Sequence, residues 1–304
     1  MRSRSRIWTF ELKDLASHFY HAFALARWQN ESRNRNVLAW RWIEQRNRLH
    51  SDWYSPKEVC KVTGLYALKS INSDFKNVLE EEVFTKMVDT PAADVLRKII
   101  GSGVSALSEA DKIIWSRFLL AFAARSPEVI DEIAPALFER LLADSFSDLQ
   151  IEGLSGEEIL SLINKERPTL WRDDIKIQIR NLIDDQYQIN RICQLNWFLV
   201  KDDHASVITS DRPVLSVPAS KFYNGINLNH SPCVIVLPLT PKQLFVASDL
   251  RKTGLYKHFK TRRKFLHWCS AEAIRKCHTY AYTHDESPSE LVKREFTAKA
   301  AANG

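Results

Sequence analysis

Glycine is scarce in this 304-residue chain, with only eight in all. No Gly-x-Gly-x-x-Gly turn and no Gly-x-x-x-x-Gly-Lys-Ser/Thr loop occurs. A nucleotide site cradled by bare backbone is therefore disfavoured. Gly-x-Ser-x-Gly and His-Glu-x-x-His are missing as well, which removes common signatures of a serine hydrolase and a zinc protease. Cysteine is sparse too, with five scattered residues: Cys60, Cys193, Cys233, Cys269 and Cys277. An odd, dispersed set suits free thiols in a reducing compartment. Cys269 and Cys277 lie near His267 and His278, but eight residues of helix rise ~12 Å. That is too far for both thiolates to hold one zinc. No apolar run approaches the ~20 residues of a membrane helix. The start, Met1 to Arg6, is basic, yet no apolar segment or small-residue cleavage site follows. These exclusions leave a soluble cytoplasmic protein with no membrane partner as the expectation; they do not set an oligomeric state.

What is present is ordinary in amount and uneven in place. Apolar residues make up 45% and charged residues 26%, enough for a large core in a chain of this length. Residues 1–50 hold ten Lys/Arg against four Asp/Glu, an excess equal to the net charge of +6. Residues 74–160 hold seventeen acids and eight bases, whereas 251–278 holds nine bases and Glu272 alone. Two readings follow. Either the basic ends meet and form a surface for phosphates, or each packs against the acidic middle. Trp8, Trp40, Trp42 and Trp53 lie among the N-terminal arginines. That interleaving suits stacking on exposed nucleobases, and it equally suits a core.

Periodicity divides the chain. Leu12, Leu15, Ala16, Phe19, Phe23 and Ala26 predict a helix over 11–29. A polar loop at 30–36 precedes a strand at Val37–Trp42, and Leu65–Leu68 suggests another, with a turn at Ser55-Pro56. From about 74 to 195 the pattern is helical. Ser108 to Asp111 opens one helix as a capping box, which stops at Arg125; Ser126-Pro127 then opens the next, kinked at Pro135. Ser155 starts a short helix, and 173–195 forms a further one. Short β-rich runs occupy 197–200, 206–209, 214–217, 233–237 and 243–247, with Asp202-Asp203-His204 as the hairpin turn joining the first two. A basic helix at about 257–278 closes the fold. The whole predicts one α+β domain over 1–285. A large helical segment packs on a mainly antiparallel sheet built from N-terminal and C-terminal strands, with 196–250 as the β-rich part. Residues 286–304 are expected to be a disordered tail.

A series of landmarks in order resembles a bacterial family catalogued as domain of unknown function 4238. Its members open with His-(His)-Tyr-Val-Pro-x-Phe-x-Leu-x-x-Phe, which His18 through Trp28 resembles. A Leu-Ser start leading to an Arg-Thr-Pro stop is similar to Leu107-Ser108 through Pro127. The Trp run, the Thr-Ser-Asp-x-Pro turn and the Pro-Leu-x-Pro corner match Trp197, Thr209 to Pro213 and Pro238 to Pro241. The resemblance spans about 18–280, and the Thr-Ser-Asp-x-Pro turn is its most specific part. The chain departs from the pattern where the doubled histidine becomes Ser17-His18 and His21 stands at the proline position. Losing that proline permits a continuous helix, and a metal pair of histidines would then be His18 and His21. The resemblance brings no activity with it.

The candidate site residues follow from these landmarks. Asp211 ends a β-branched run; it can bind a cation or act as a base, or make an Asx-turn with its own backbone. His18 and His21, at helical i, i+3 spacing, share a face and can ligate one metal or pack among aromatics. Arg27, Arg125 and Arg212 sit beside the landmarks and suit phosphate or carboxylate recognition. Arg125 can equally bond the last helix carbonyls or pair with Asp211. Two functions are weighed. One is a hydrolase acting on a phosphodiester or nucleic-acid substrate, with His18, Asp211 and Arg125 catalytic, His21, Arg27 and Arg212 binding, and His18 and Asp211 as candidate ligands of a divalent metal. The other is a non-enzymatic module that binds nucleic acid or another phosphate-bearing partner; a protein–protein scaffold is the third option.

Overall fold

The computed structural model describes residues 16–18, 22–59, 61–63, 65–66, 79–126, 150–151, 153–166, 176, 179–204, 206–217, 226 and 228–303. Strand β1 (Ala16–His18) opens it, followed by the single-turn helix α1 (Ala22–Leu25) and a 3₁₀ turn at Ala26–Trp28. The helix predicted over 11–29 is corrected on this point. Residues 16–18 pair antiparallel with Lys61–Thr63, so a ladder replaces helical bonds there. Residues 11–15 and 19–21 of that stretch lie outside the described residues; beyond them Ala24, Leu25 and Trp28 are buried in the core, with Trp28 Nε1 donating to the Val207 carbonyl at 3.4 Å. The 30–36 loop is closed by a bridge between Asn30 and Asn36. Strand β2 (Val37–Ile43) then turns through left-handed Asn47 (φ 44°) into β3 (Arg48–Tyr54), paired along its whole length. The sequence reading missed β3. Strand β4 (Lys61–Thr63) completes the small sheet with β1.

The described residues of the middle are mainly helical, as the period predicts. A π-helical segment, Leu79–Asp89, runs into α2 (Thr90–Ser102), which ends at left-handed Gly103 (φ 83°). Helix α3 (Glu109–Ala124) begins with the predicted capping box. Ser108 Oγ accepts the Asp111 N–H at 3.2 Å, Asp111 Oδ2 accepts the Ser108 N–H at 3.0 Å, and Arg125 caps the far end. The predicted Ser126-Pro127 helix and its Pro135 kink lie outside the described residues. A two-residue hairpin of β5 (Gln150–Ile151) and β6 (Leu154–Ser155) leads into α4 (Gly156–Glu166). The helix expected over 173–195 is broken, because Asp185 accepts the Tyr187 and Gln188 N–H groups and starts a new one, α5 (Gln186–Cys193).

Two four-stranded antiparallel sheets stand where one was predicted. Strands β7 (Asn196–Lys201), β8 (Thr209–Ser210), β9 (Leu215–Val217), β10 (Val234–Thr240), β11 (Gln243–Ser248) and β12 (Ala281–Thr283) supply most of both. One sheet has the order β7-β11-β10-β9 and the other β3-β2-β12-β8. Only the second mixes N-terminal with C-terminal strands. The Asp202–His204 turn therefore joins two sheets and not a hairpin: β7 pairs with β11, and the Asp202 N–H bonds the Lys242 carbonyl at 2.8 Å. The closing basic helix is two helices, α6 (Lys252–His258) and α7 (Arg262–Lys276), separated at left-handed Lys260 (φ 69°) and restarted by the Thr261 side chain. Beyond β12 the expected disorder is replaced by α8 (Ser289–Asn303), which buries Val292 and Phe296. The fold is α+β.

Strand alternation explains how the parts meet. Val37 and Ala39 of β2, with Tyr282 of β12, face the main core shared with α2, α3 and the first sheet. Leu38 and Trp40, with Ala281, face a second core completed by Ile208, Ile274, Cys277, Val292 and Phe296. The β3-β2-β12-β8 sheet is thus sandwiched, and Trp42 and Leu49, toward the β2–β3 turn, pack on the edge of the second core.

Candidate functional site

Asp211 follows the two residues of β8 and continues its ladder, its N–H bonding the Tyr280 carbonyl at 3.0 Å. Ser210 Oγ accepts the Arg212 N–H at 3.3 Å and donates to the Arg212 carbonyl at 3.0 Å, which fixes the turn. The carboxylate is 2% exposed and accepts three backbone N–H groups: His278 at 2.7 Å, Thr279 at 2.6 Å and Tyr280 at 2.8 Å. Burial pushes the carboxyl above the usual range, against the three N–H bonds, which pull it down. The carboxylate that the sequence marks most clearly is therefore a brace. It serves as the acceptor for the loop 278–280 and not for its own turn.

Arg125 is fully buried, with Nη1 and Nη2 forked onto Asp89 at 3.0 and 2.9 Å. Its guanidinium lies over the rings of Phe84, Phe118 and Phe122, at 5.6, 5.9 and 5.0 Å. Tyr66 donates to its carbonyl at 2.7 Å. Asp89, not Asp211, is the ion partner. His18 belongs to strand β1 opposite Lys61, so the shared helix face proposed for His18 and His21 does not form. The His18 side chain and all of His21 lie outside the described residues. Arg27 is exposed on the 3₁₀ turn. Arg212 is half-buried, and burial pushes its guanidinium down to about 10. Among the described residues no group of three potential ligands is arranged to hold a metal. Asp202 accepts the Ser206 N–H and hydroxyl, both at 2.7 Å, and Asp203 pairs with Arg262 at 2.8 Å.

The loop braced by Asp211 forms one wall of a cleft of about 580 Å³. His278 and Thr279 stand on that wall. The β2–β3 tip contributes Trp42, Glu44, Gln45 and Asn47 to the lining. Helix α8 supplies Phe296 and Lys299. Lys299 Nζ donates to the Cys277 carbonyl and lies 3.6 Å from Cys277 Sγ, which ties α8 to the end of α7. Burial pushes the Cys277 thiol up to about 12, so it is an inert packing group here. Arg41 lies over Tyr280 at 5.8 Å and donates to its hydroxyl at 3.3 Å, which pins the hairpin to the braced loop. The cleft can therefore take a ligand with an aromatic or apolar body and polar edges. Volume and mixed lining both suit a small-molecule or nucleotide-sized group. Sequence reasoning missed the cleft, since its walls come from three distant segments. The one available signal was the run Trp40, Trp42, Trp53 among arginines.

A family model described as a protein of unknown function (DUF4238) matches residues 18–287. No curated protein and no solved structure matches the chain.

Proposed function

The chain belongs to the DUF4238 family, whose description carries no activity, and from the cleft we propose a non-enzymatic binding module for a phosphate-bearing partner, nucleic acid foremost. The observation that carries this reading is the use of the Asp211 carboxylate. Three backbone donors occupy it at 2.6–2.8 Å. A general base or metal ligand needs an oxygen free to meet substrate or cation. What the carboxylate does here is hold a wall in place. Preorganised walls favour binding, because less order is lost when the partner arrives.

The lining supports the choice of partner. Trp42 offers a ring at a half-buried position, Gln45 and Asn47 offer amide edges, and Lys299 offers an ammonium. Arg46 and Arg48 are exposed on the same hairpin. Rings for bases and cations for phosphates are what single-stranded nucleic acid requires. The hydrolytic alternative loses support for the same reason, and the engagement of Arg125 with Asp89 removes a transition-state cation from it.

Anisotropy of a labelled single-stranded oligonucleotide tests the reading. Affinity should fall steeply between about 50 and 200 mM salt, and Trp42→Ala should weaken it by about 1–3 kcal/mol. No binding at low salt would sink the proposal. Metal-dependent cleavage of a phosphodiester, lost in a folded Asp211→Asn variant, would restore the hydrolase.

A further inference from the structure

Residues 251–264 carry seven Lys and Arg and no Asp or Glu. The fold gathers much of this run at the corner between α6 and α7. Lys257 lies in the last turn of α6, Lys260 is the left-handed residue at the break, and Arg263 and Lys264 lie in the first turn of α7. We infer that this corner is a second interaction surface, which grips the phosphate backbone of a double-stranded nucleic acid.

The positive charge there is uncompensated. Lys257, Lys260, Arg263 and Lys264 are exposed, and none makes an ion pair or a side-chain hydrogen bond among the described residues. Of the whole run only Arg262 meets a carboxylate among them, Asp203 at 2.8 Å. The segment therefore does not pack its charges against the acidic middle of the chain. The corner is also held in shape. The Lys260 N–H bonds the Lys257 carbonyl at 3.1 Å, and the Thr261 hydroxyl accepts the Lys264 N–H at 3.1 Å. Phe259, at the end of α6, packs on Phe265 and Trp268 of α7, with ring centroids 4.9 and 5.2 Å apart. Like charges fixed close together repel one another, and a dense row of phosphates relieves that repulsion. A duplex presents one negative charge about every 1.7 Å of its axis. The side chains that the corner does not expose select this partner over others. Leu255 and Phe265 are buried, Tyr256, Phe259 and Trp268 are half-buried, and the large apolar side chains exposed among the described residues lie elsewhere in the chain. Unpaired bases find no exposed Phe, Tyr or Trp to stack on, and a bilayer finds no apolar anchor. The inference stands apart from the cleft reading. None of the four cations lines the cleft, and the 15 residues of α7 set the two surfaces roughly 20 Å apart.

The test is the anisotropy of a labelled DNA duplex titrated with the full chain over a range of salt concentrations. The triple variant Lys257→Gln, Lys260→Gln, Lys264→Gln should bind with a log–log salt slope shallower by about 3. A control with three other exposed bases removed, Arg35→Gln, Lys86→Gln and Arg97→Gln, each paired with a neighbouring carboxylate, should keep the wild-type slope. Trp42→Ala should keep it too, even where it weakens a single strand. That separates this surface from the cleft. Lys257→Gln with Lys264→Gln, expected to lower the slope by about 2, serves if thermal unfolding shows the triple variant misfolded. No duplex binding at low salt, or equal slopes in wild type and corner variant, would overturn the inference. So would equal losses in corner variant and control, which would reduce the effect to net charge. Sedimentation with phosphatidylserine-rich vesicles completes the test: binding weakened there by the corner variant, with duplex binding unchanged, would assign the corner to a membrane surface instead.

Discussion

Asp211 and Arg125 are both buried charges next to landmark motifs, yet each is answered by a different kind of partner. Asp211 meets peptide N–H groups, whose loss of acceptor costs free energy at every donor left behind. Asp211→Ala should therefore lower stability by roughly 3 kcal/mol or more, and Asp211→Asn by less, because the amide keeps one acceptor oxygen. Urea titration followed by tryptophan fluorescence measures both; an alanine variant as stable as wild type would refute the bracing role. Arg125 meets a carboxylate, Asp89, in a bidentate pair with essentially no solvent. Removing one partner strands the other charge, so Arg125→Met should cost about 3–5 kcal/mol. Replacing both charges should cost much less, since well-packed apolar groups of similar volume replace buried ion pairs with little loss. A double-mutant cycle of Arg125→Met with Asp89→Leu reads this directly. If the double variant is as unstable as the two single losses added together, the pair is not acting as a unit.

Helix α3 shows what a sequence can declare about an element. Its start depends on four adjacent residues, and Ser108 and Asp111 satisfy each other's backbone donors as the capping box requires. Ser108→Ala should cost about 1 kcal/mol. The Asp111 carboxyl is held down to about 2, first by the Lys98 ammonium at 2.7 Å and then by Ser108. A depressed carboxyl stabilises the fold above its unfolded value and loses that contribution as pH falls through the folded one. The difference between wild type and Asp111→Ala should therefore shrink between about pH 4 and pH 2, measured by unfolding at a series of acid pH values; a constant difference would contradict the cap. Strands β7, β10 and β11 were equally legible, because runs of β-branched residues with turn residues at their ends leave few alternatives. Strand β3 was not. Arg48 to Tyr54 lie on a sheet edge with much of their surface in solvent, so no apolar alternation marks them. Partnership between strands was invisible too. Nothing local in Ala281–Thr283 says that it slots between β2 and β8, yet that placement brings the 278–280 donors to Asp211. The residue was legible and its role was not, since its partners lie 67–69 positions away.

At the scale of the molecule, the last helix decides whether the second core exists. The segment after Asp285 reads as a tail because it ends in small residues, but Val292 and Phe296, four apart, lie on one face. That face covers Leu38, Trp40, Ile208 and Ile274, which have no place to hide without it. Glu295, between the two apolar anchors, is buried under Arg275 and Arg294, so the cover is fastened by charge as well. Burying a side chain of this kind is worth about 1.5–3 kcal/mol, and whole-domain stability is only about 5–15 kcal/mol. Phe296→Ala should accordingly cost about 3–5 kcal/mol, a large share of the total. Ending the chain after Asp285 should cost more, expose the Trp40 face, and remove the Phe296 and Lys299 wall of the cleft. Dye binding to exposed apolar surface, thermal unfolding and oligonucleotide anisotropy on the shortened chain test the three consequences separately. A shortened chain that melts with the full one would show that α8 is an appendage. One that stays folded and still binds would leave the helix out of the site. Loss of fold and ligand together in the shortened chain, with Lys299→Ala folded but weak in binding, would tie α8 to both tasks.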